Sequence, residues 1–351
     1  MTPRKLTEIS DYTSIADTAV KVYVRRETFP LAQAFTISRG SKTHADVVMV
    51  ELVDGSGMRV GRGECVPYGR YGETCDGVVH DLQPLSSAPQ PMTLRALDQA
   101  RTSLRTRGAQ NALDASLWDA SANLSHHSVW RALGVGTPKP ISTFVTVSLA
   151  EPDTMGNETA RLAQSGVSHI KLKLGGADDA ARMSAARAAA PTATLIADAN
   201  EGWQTDQLAA LLDAARTQRL ALIEQPLPAG DDHALAEIEH AVPICADESA
   251  HDVTQLDQLT ARYDAINIKL DKTGGLTDAL MLAEAARRRG LGVMVGSMVS
   301  TSLSMAAAYP LALQADWVDL DSPALLATDR EHAMTITNGI LSAPPSELWG
   351  G

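Results

Sequence analysis

The feature that most constrains this chain is a repeat of short apolar runs beginning just past position 140. The runs are FVTVSL, HIKLKLG, TLIADAN, ALIEQPL, PICADES, AINIKLD, GVMVGSM and WVDLDSP, and their ends fall 22 to 28 residues apart. Between them lie stretches of helical periodicity such as DTMGNETARLAQSG, LAALLDAARTQ, HALAEIEHA, LTDALMLAEAARRRG and STSLSMAAAYPLAL. A strand that returns parallel to its predecessor needs a crossover of about a dozen residues or more, usually a helix. Eight evenly spaced units favour a closed sheet over an open, doubly wound one. The expectation is a TIM-like (β/α)7β barrel over residues 139–328, lacking its last helix.

The first third has another texture. KVYVRR, FTISRG, ADVVMVELV and MRVGRGE read as a meander of strands, with Asp54-Gly55 as a hairpin signal. Residues 29–42 mix Pro, Gly and Ser and read as a long loop, and CVPYGRYGET as a turn or a functional segment. LRALDQARTSLRT and NALDASLWDASANL carry helical spacing. Residues 1–138 therefore form an α+β unit of their own, and the tail 329–351, again strand and turn in character, is expected to return to it.

Composition excludes several partners. A net charge of −12 and a pI near 5.2 argue against nucleic acid and anionic membranes. Cys65, Cys75 and Cys245 are too scattered for a disulfide framework or a thiolate metal site, which fits a reducing cytoplasm. MTPRKLTEIS lacks the apolar run of a signal peptide. The uncharged stretch from Leu291 to Gln314 is broken by Gly292, Gly296, Pro310 and several hydroxyl residues, so a core strand, loop and helix is expected rather than a membrane span.

In parallel barrels, chemistry gathers at the C-terminal ends of the strands. Those ends carry Thr146, Lys171 and Lys173, Asp198, Glu224, Asp247, Lys269, then Asp319 and Asp321. Lys171 and Lys173 share one face of their strand, and two ammonium groups there need anions opposite. Asp198, Glu224 and Asp247 come from three consecutive strands, and three converging carboxylates cannot all ionise without a cation. All-oxygen ligation suits Mg²⁺, with Mn²⁺ as the alternative; Zn²⁺ would want His or Cys. A structural ion-pair network would account for the charges but not for their positions at successive strand ends. Lys173 and Lys269 then face each other across the mouth, an arrangement for taking a proton from one face of a carbon and returning it to the other. To act as a base near neutral pH, either lysine must titrate below its usual value of about 10.4. A nearby cation, and for Lys173 the ammonium of Lys171, push that way.

With Lys171-x-Lys173, IADAN, IEQP, ADES and NIKLDKTGG in place, the chain resembles the enolase superfamily, in its muconate lactonising enzyme-like subgroup. That superfamily pairs a Lys or His base with Mg²⁺ to stabilise an enediolate. The resemblance implies that the α+β unit and the tail form a capping domain over the barrel. It also implies that Asp198, Glu224 and Asp247 bind the metal, that Lys173 and Lys269 are the two bases, and that Lys171 assists. Relatives with a histidine base on the seventh strand are excluded, because VMVGSMVSTS has none.

Lactonisation, β-elimination and 1,1-proton transfer share this core, so the choice rests on Asp319-Leu320-Asp321, whose two carboxylates share a face. A turn capping the last strand is the plain alternative. In dipeptide epimerases of the family, which this chain resembles in the L-Ala-D/L-Glu type, a matching Asp-x-Asp binds the substrate's α-ammonium. The expected function is thus Mg²⁺-dependent epimerisation of the C-terminal residue of a dipeptide, the small-molecule partner. Gly296 and Met298 would offer backbone groups, and Arg39 with Thr146 would meet a glutamate side chain, Arg70 competing for that role. The alternatives are an N-succinylamino-acid racemase, an o-succinylbenzoate synthase or a cycloisomerase of the same subgroup, or a non-catalytic binding protein on the same scaffold. Barrels of this kind often associate, which leaves a homo-oligomer open, and the sequence does not fix the oligomeric state.

Overall fold

The computed structural model describes residues 14–38 and 40–351, so the expectations for the N-terminal segment 1–13 and for Arg39 lie outside the described residues. The first sheet is antiparallel, in the order β3-β2-β1-β4, from β1 (Ala19–Ile37), β2 (Gly40–Asp54), β3 (Arg59–Cys65) and β4 (Met92–Thr93). KVYVRR and FTIS, expected as two strands, are one strand whose register with β2 slips between Pro30 and Phe35. Proline has no N–H to give the ladder, which explains the slip. Residues 29–42 are correspondingly not a free loop: pairing resumes at Phe35↔Lys42 and runs to Ile37↔Gly40. The resulting arm reaches over the barrel, where the Ser38 hydroxyl donates to the Asn200 carbonyl at 3.0 Å and the Leu149 N–H to the Thr36 carbonyl at 3.2 Å.

On β3, Gly61 and Gly63 sit two apart and so face the same side. A Cβ on either would lie 2.3 or 2.4 Å from the Ser116 or Ala112 carbonyl of the helix Arg107–Ser125. Only bare backbone lets that helix pack so close. Thr106 starts it, its hydroxyl accepting the Ala109 N–H at 3.3 Å.

After β5 (Ile141–Ser142) come β6 (Val145–Val147), β7 (His169–Lys173), β8 (Thr194–Asp198), β9 (Leu222–Glu224), β10 (Ile244–Ala246), β11 (Ala265–Ile268), β12 (Gly292–Gly296) and β13 (Trp317–Asp319). These eight are parallel neighbours in chain order. The circle is completed by the Phe144 N–H, which donates to the Val318 carbonyl at 2.8 Å. The architecture is the expected TIM-like (β/α)7β barrel with a separate α+β sheet unit. One crossover departs from expectation: HALAEIEHA forms only a 3₁₀ turn, His233–Glu237. Ile238 is extended, and His240 beyond it bonds Asp264 Oδ2 at 2.7 Å and the Leu235 carbonyl at 2.9 Å. These tertiary bonds outweigh a helical propensity worth only tenths of a kcal/mol per residue. The stretch Leu291–Gln314 supplies β12 and the helix Ser302–Ala312, and no helix among the described residues is long and apolar enough to cross a membrane.

Lumen-facing residues at the lower end of the barrel are apolar: Phe144, Ile196, Leu222, Cys245, Ala265 and Met294 form one cluster. The tail pairs β14 (Ile336–Thr337) with β15 (Ile340–Leu341), and β15 with β5. It then runs back to the first unit, where the Trp349 indole donates to the Ala115 carbonyl at 3.0 Å and the Gly350 N–H to Asp119 at 2.8 Å. The seam between the units is polar. Asp114 accepts the Thr277 N–H and hydroxyl at 3.0 and 2.6 Å, Asp271 accepts from Val66 and Asn111 at 3.0 and 2.8 Å, and Glu64 accepts the Thr301 N–H at 3.0 Å.

Candidate active site

Above the apolar plug, side chains of the same lumen-facing parity turn ionic. Lys171 and Lys173 point into the lumen from β7, and both are buried. Lys171 Nζ lies 2.6 Å from Glu224, 2.7 Å from Asp319 and 3.2 Å from Asp198. Lys173 Nζ lies 2.6 Å from Asp198 Oδ2, with the Phe35 ring of the arm 5.9 Å away. Lys269 immediately follows β11 and lies 2.7 Å from Asp247 and 4.0 Å from Glu224. β7 and β11 are four strands apart in an eight-stranded circle, so Lys173 and Lys269 stand on opposite walls.

Asp198, Glu224 and Asp247 are fully buried at the ends of three neighbouring strands. Burial penalises all three charges, but Lys173 and Lys171 hold Asp198 well below the carboxylate range, and Lys269 and Lys272 do the same for Asp247. Glu224 goes the other way: burial and the charge of Asp198 push it up to about 7 despite Lys171. Lys171 is shared among three carboxylates and cannot neutralise each of them. Asp321 is likewise pushed up to about 6 by burial and by Asp319. Lys171 and Lys269 stand well above the usual ammonium value, because their carboxylates outweigh the cost of burial.

The donor chemistry suits a hard cation. Three buried carboxylates, one of them driven toward protonation by burial and by the charge of Asp198, are an oxygen-only set with unmet negative charge. Among the described residues no three His, Cys, Asp or Glu groups stand close enough to grip an ion as placed. Each of the three carboxylates instead has a lysine ammonium at 2.6 to 2.7 Å.

Asp319 and Asp321 both reach the mouth. One Asp319 oxygen binds Lys171, whereas its Oδ1 is buried with no hydrogen-bond partner. Asp321 Oδ2 accepts the Thr146 N–H at 2.7 Å, which is how Thr146 enters the site. Asp321 and Thr146 border a cavity of about 480 Å³ that also touches Phe35. Gly296 faces the lumen, where a Cβ would come within 2.8 Å of the Asn267 side chain. The Met298 carbonyl already accepts the Ser300 and Ser322 hydroxyls at 3.1 and 3.2 Å, so it has no lone pair left for a peptide. Arg70 forks onto Glu201 at 2.9 and 3.0 Å and is committed there.

Two site residues escaped the sequence reading. Asn267 donates to Glu224 Oε1 at 2.7 Å, and Lys272, fully buried, donates to Asp247 Oδ1 at 2.6 Å and to the Asn267 carbonyl at 3.0 Å. Parity could have found Asn267, two residues before Lys269 on one strand face. Lys272 sits on the short helix Leu270–Thr273, one turn beyond Lys269, where no strand rule applies.

The chain is similar to known proteins along most of its length. Residues 154–347 match the family described as Enolase C-terminal domain-like, and residues 19–134 the Mandelate racemase / muconate lactonizing enzyme N-terminal domain. The chain is 44% identical over 322 residues to an L-Ala-D/L-Glu epimerase of Escherichia coli (strain K12), covering 92% of this chain and 98% of that one. It is 40% identical over 291 residues to an N-acetyl-D-glutamate racemase of Pseudoalteromonas sp, covering 83% and 91%. An enolase family member from Agrobacterium tumefaciens with homology to dipeptide epimerases, solved with sodium and L-Ala-L-Glu, superposes with a TM-score of 0.87 at 46% identity, over 94% of this chain and 100% of that one. A dipeptide epimerase from Cytophaga hutchinsonii, complexed with Mg and D-Ala-L-Val, superposes with a TM-score of 0.86 at 28% identity, over 93% and 94%.

Proposed function

Because this chain belongs to the enolase superfamily, in its mandelate racemase and muconate lactonizing enzyme branch, we propose that it is a dipeptide epimerase interconverting L-Ala-L-Glu and L-Ala-D-Glu. The chain is an isomerase of the epimerase and racemase type. The observation that carries the dipeptide reading is the Asp319–Asp321 pair, two buried carboxylates at the mouth with one oxygen unpartnered. A substrate α-ammonium supplies the positive charge and N–H donors that such a pair calls for.

Asp198, Glu224 and Asp247 are the residues that would hold Mg²⁺, which when bound supplies positive charge to the substrate's C-terminal carboxylate and acidifies the adjoining carbon. Mn²⁺ shares the same oxygen preference. Asp198 and Asp247 would hold the cation in place of the ammonium groups of Lys173 and Lys269, which lie 2.6 and 2.7 Å from them. Each lysine can then take the α-proton from its own side of the substrate. The opposite lysine, as ammonium, delivers a proton to the other face of the enediolate, and the stereocentre inverts. Lys171 stays charged and keeps the substrate carboxylate and Glu224 in place. Arg39 is assigned the substrate's side-chain carboxylate, since its neighbour Ser38 rests on the Asn200 carbonyl beside β8 and Arg70 is taken by Glu201.

The test is incubation with L-Ala-L-Glu and Mg²⁺ in D₂O, followed by NMR. The glutamate α-proton should exchange and the D-epimer appear; no exchange across a panel of L,L-dipeptides would sink the reading. N-acetylglutamate belongs in the same panel, given the racemase relative. It lacks an ammonium and should exchange far more slowly if Asp319 and Asp321 act as assigned.

A further inference from the structure

We propose that Gln225 is a positioning residue that sets the spacing of the three carboxylates, acting through the backbone of the two flanking strand ends. The inference rests on the reading of Asp198, Glu224 and Asp247 as the residues that hold Mg²⁺. Gln225 follows Glu224 directly and is fully buried. Its φ of +34° is one that residues with a side chain seldom adopt. That turn sends Glu224 to the lumen and the Gln225 side chain outside it, toward the end of β10. There Oε1 accepts the Asp247 N–H at 2.8 Å and the Ser249 N–H at 3.1 Å. The Gln225 carbonyl accepts the Glu201 N–H at 2.9 Å, in the loop that leaves Asp198. One residue thus ties the segment after β8 and the segment after β10 to the end of β9.

Glu201 and Asn200 share the left-handed conformation, with φ of +65° and +46°. Three such residues beside three mutually repelling carboxylates indicate a backbone held against its own preference. The amide explains how. Its orientation is unambiguous, since Oε1 meets two N–H donors. Its Nε2 has two hydrogens, one donated to the Leu227 carbonyl at 2.8 Å and the other shared between the Ser249 and Tyr263 hydroxyls at 3.0 Å each. Those hydroxyls donate in turn to Asp232 at 2.7 and 2.6 Å, with Arg262 on the other Asp232 oxygen at 2.7 Å. Both hydroxyls are therefore committed as donors to Asp232 and can only accept from Gln225. A carboxylate could not donate to Leu227 and would add charge next to Asp247; an ammonium could not accept from Asp247. Only a neutral side chain that both donates and accepts fits.

The test compares the full-length parent with Gln225→Glu, Gln225→Leu and the more distant Tyr263→Phe. Each is checked for folding by circular dichroism, titrated with Mg²⁺ alone by calorimetry, and assayed at saturating Mg²⁺. The Gln225 variants should bind Mg²⁺ about tenfold or more weakly, the usual size of losing a group that orients metal-holding residues. Their kcat should fall while KM for the dipeptide moves little. Tyr263→Phe should show the same pattern at smaller amplitude, and it decides the matter if neither Gln225 variant folds. Parent-like Mg²⁺ affinity and kcat in a folded Gln225 variant, or in Tyr263→Phe when that variant alone folds, would overturn the proposal. Failure of the parent to bind Mg²⁺ would instead overturn the metal reading on which it rests.

Discussion

The barrel mouth and the seam between the two units both bury carboxylates, and they satisfy them with different donors. At the seam, Asp114 and Asp271 each accept dedicated donors, and Arg101 backs Asp114 at 3.4 Å. At the mouth, Lys171 alone is divided among Asp198, Glu224 and Asp319, and an Asp319 oxygen has no partner. Neutral N–H and O–H donors that each serve one carboxylate make a joint. Charges that remain in surplus after every lysine is used mark a place awaiting cationic and anionic ligand groups.

The largest expected effect breaks the mouth's chemistry without touching the seam. Lys173→Ala and Lys269→Ala should each lower epimerisation by a factor of about 10² to 10⁴, the range for a positioned general acid or base. Exchange of the α-proton from one stereoisomer can survive in each variant, and NMR in D₂O separates the two outcomes. Full activity in Lys269→Ala would end the two-base mechanism.

At the seam the loss should be in stability instead. Asp114→Ala strands the Thr277 N–H and removes a partner of Arg101, which should cost about 2–3 kcal/mol in denaturant unfolding. Catalysis per folded molecule should be nearly unchanged. A lesser effect is expected for Asp321→Asn, which sharpens the contrast from the mouth side. It should raise KM for the dipeptide about tenfold, as loss of a charged hydrogen bond does, with Mg²⁺ affinity retained. Stability should hold or rise, since like charge at Asp319 is relieved. Weakened metal binding with intact KM would make Asp321 a metal-holding residue.

The smallest effect lies away from both regions. The hydrogen bond to Asp264 raises His240 above its usual value. A raised folded pKa gives stability that is complete below the unfolded value and lost as pH rises through the folded one. Unfolding free energy should therefore decline above pH 6.5, by less than about 1 kcal/mol because Asp264 is half exposed. In His240→Gln that decline should vanish; an unchanged pH profile would remove His240 from the account.

Much of this was legible along the chain. Strand parity put Lys171 with Lys173, and the even spacing of the apolar runs brought Asp198, Glu224 and Asp247 to neighbouring strand ends. Parity and spacing are local, so they survive without coordinates. What they missed depends on contacts between distant segments. Lys272 reaches Asp247 from a helical turn, Arg70 is withdrawn by Glu201, and the arm around Phe35 is a paired hairpin rather than a loop.

The sequence alone thus determined the barrel and the identity and order of the charged groups in its mouth, because backbone periodicity and covalent order suffice for both. Only the tertiary structure decided which ammonium serves which carboxylate and which Asp319 oxygen is left over. It also decided that Gln225, unremarkable inside IEQP, joins three strand ends. Those outcomes depend on competition among side chains within a few ångströms of one another in a buried space, where one partner taken is a partner lost to the rest.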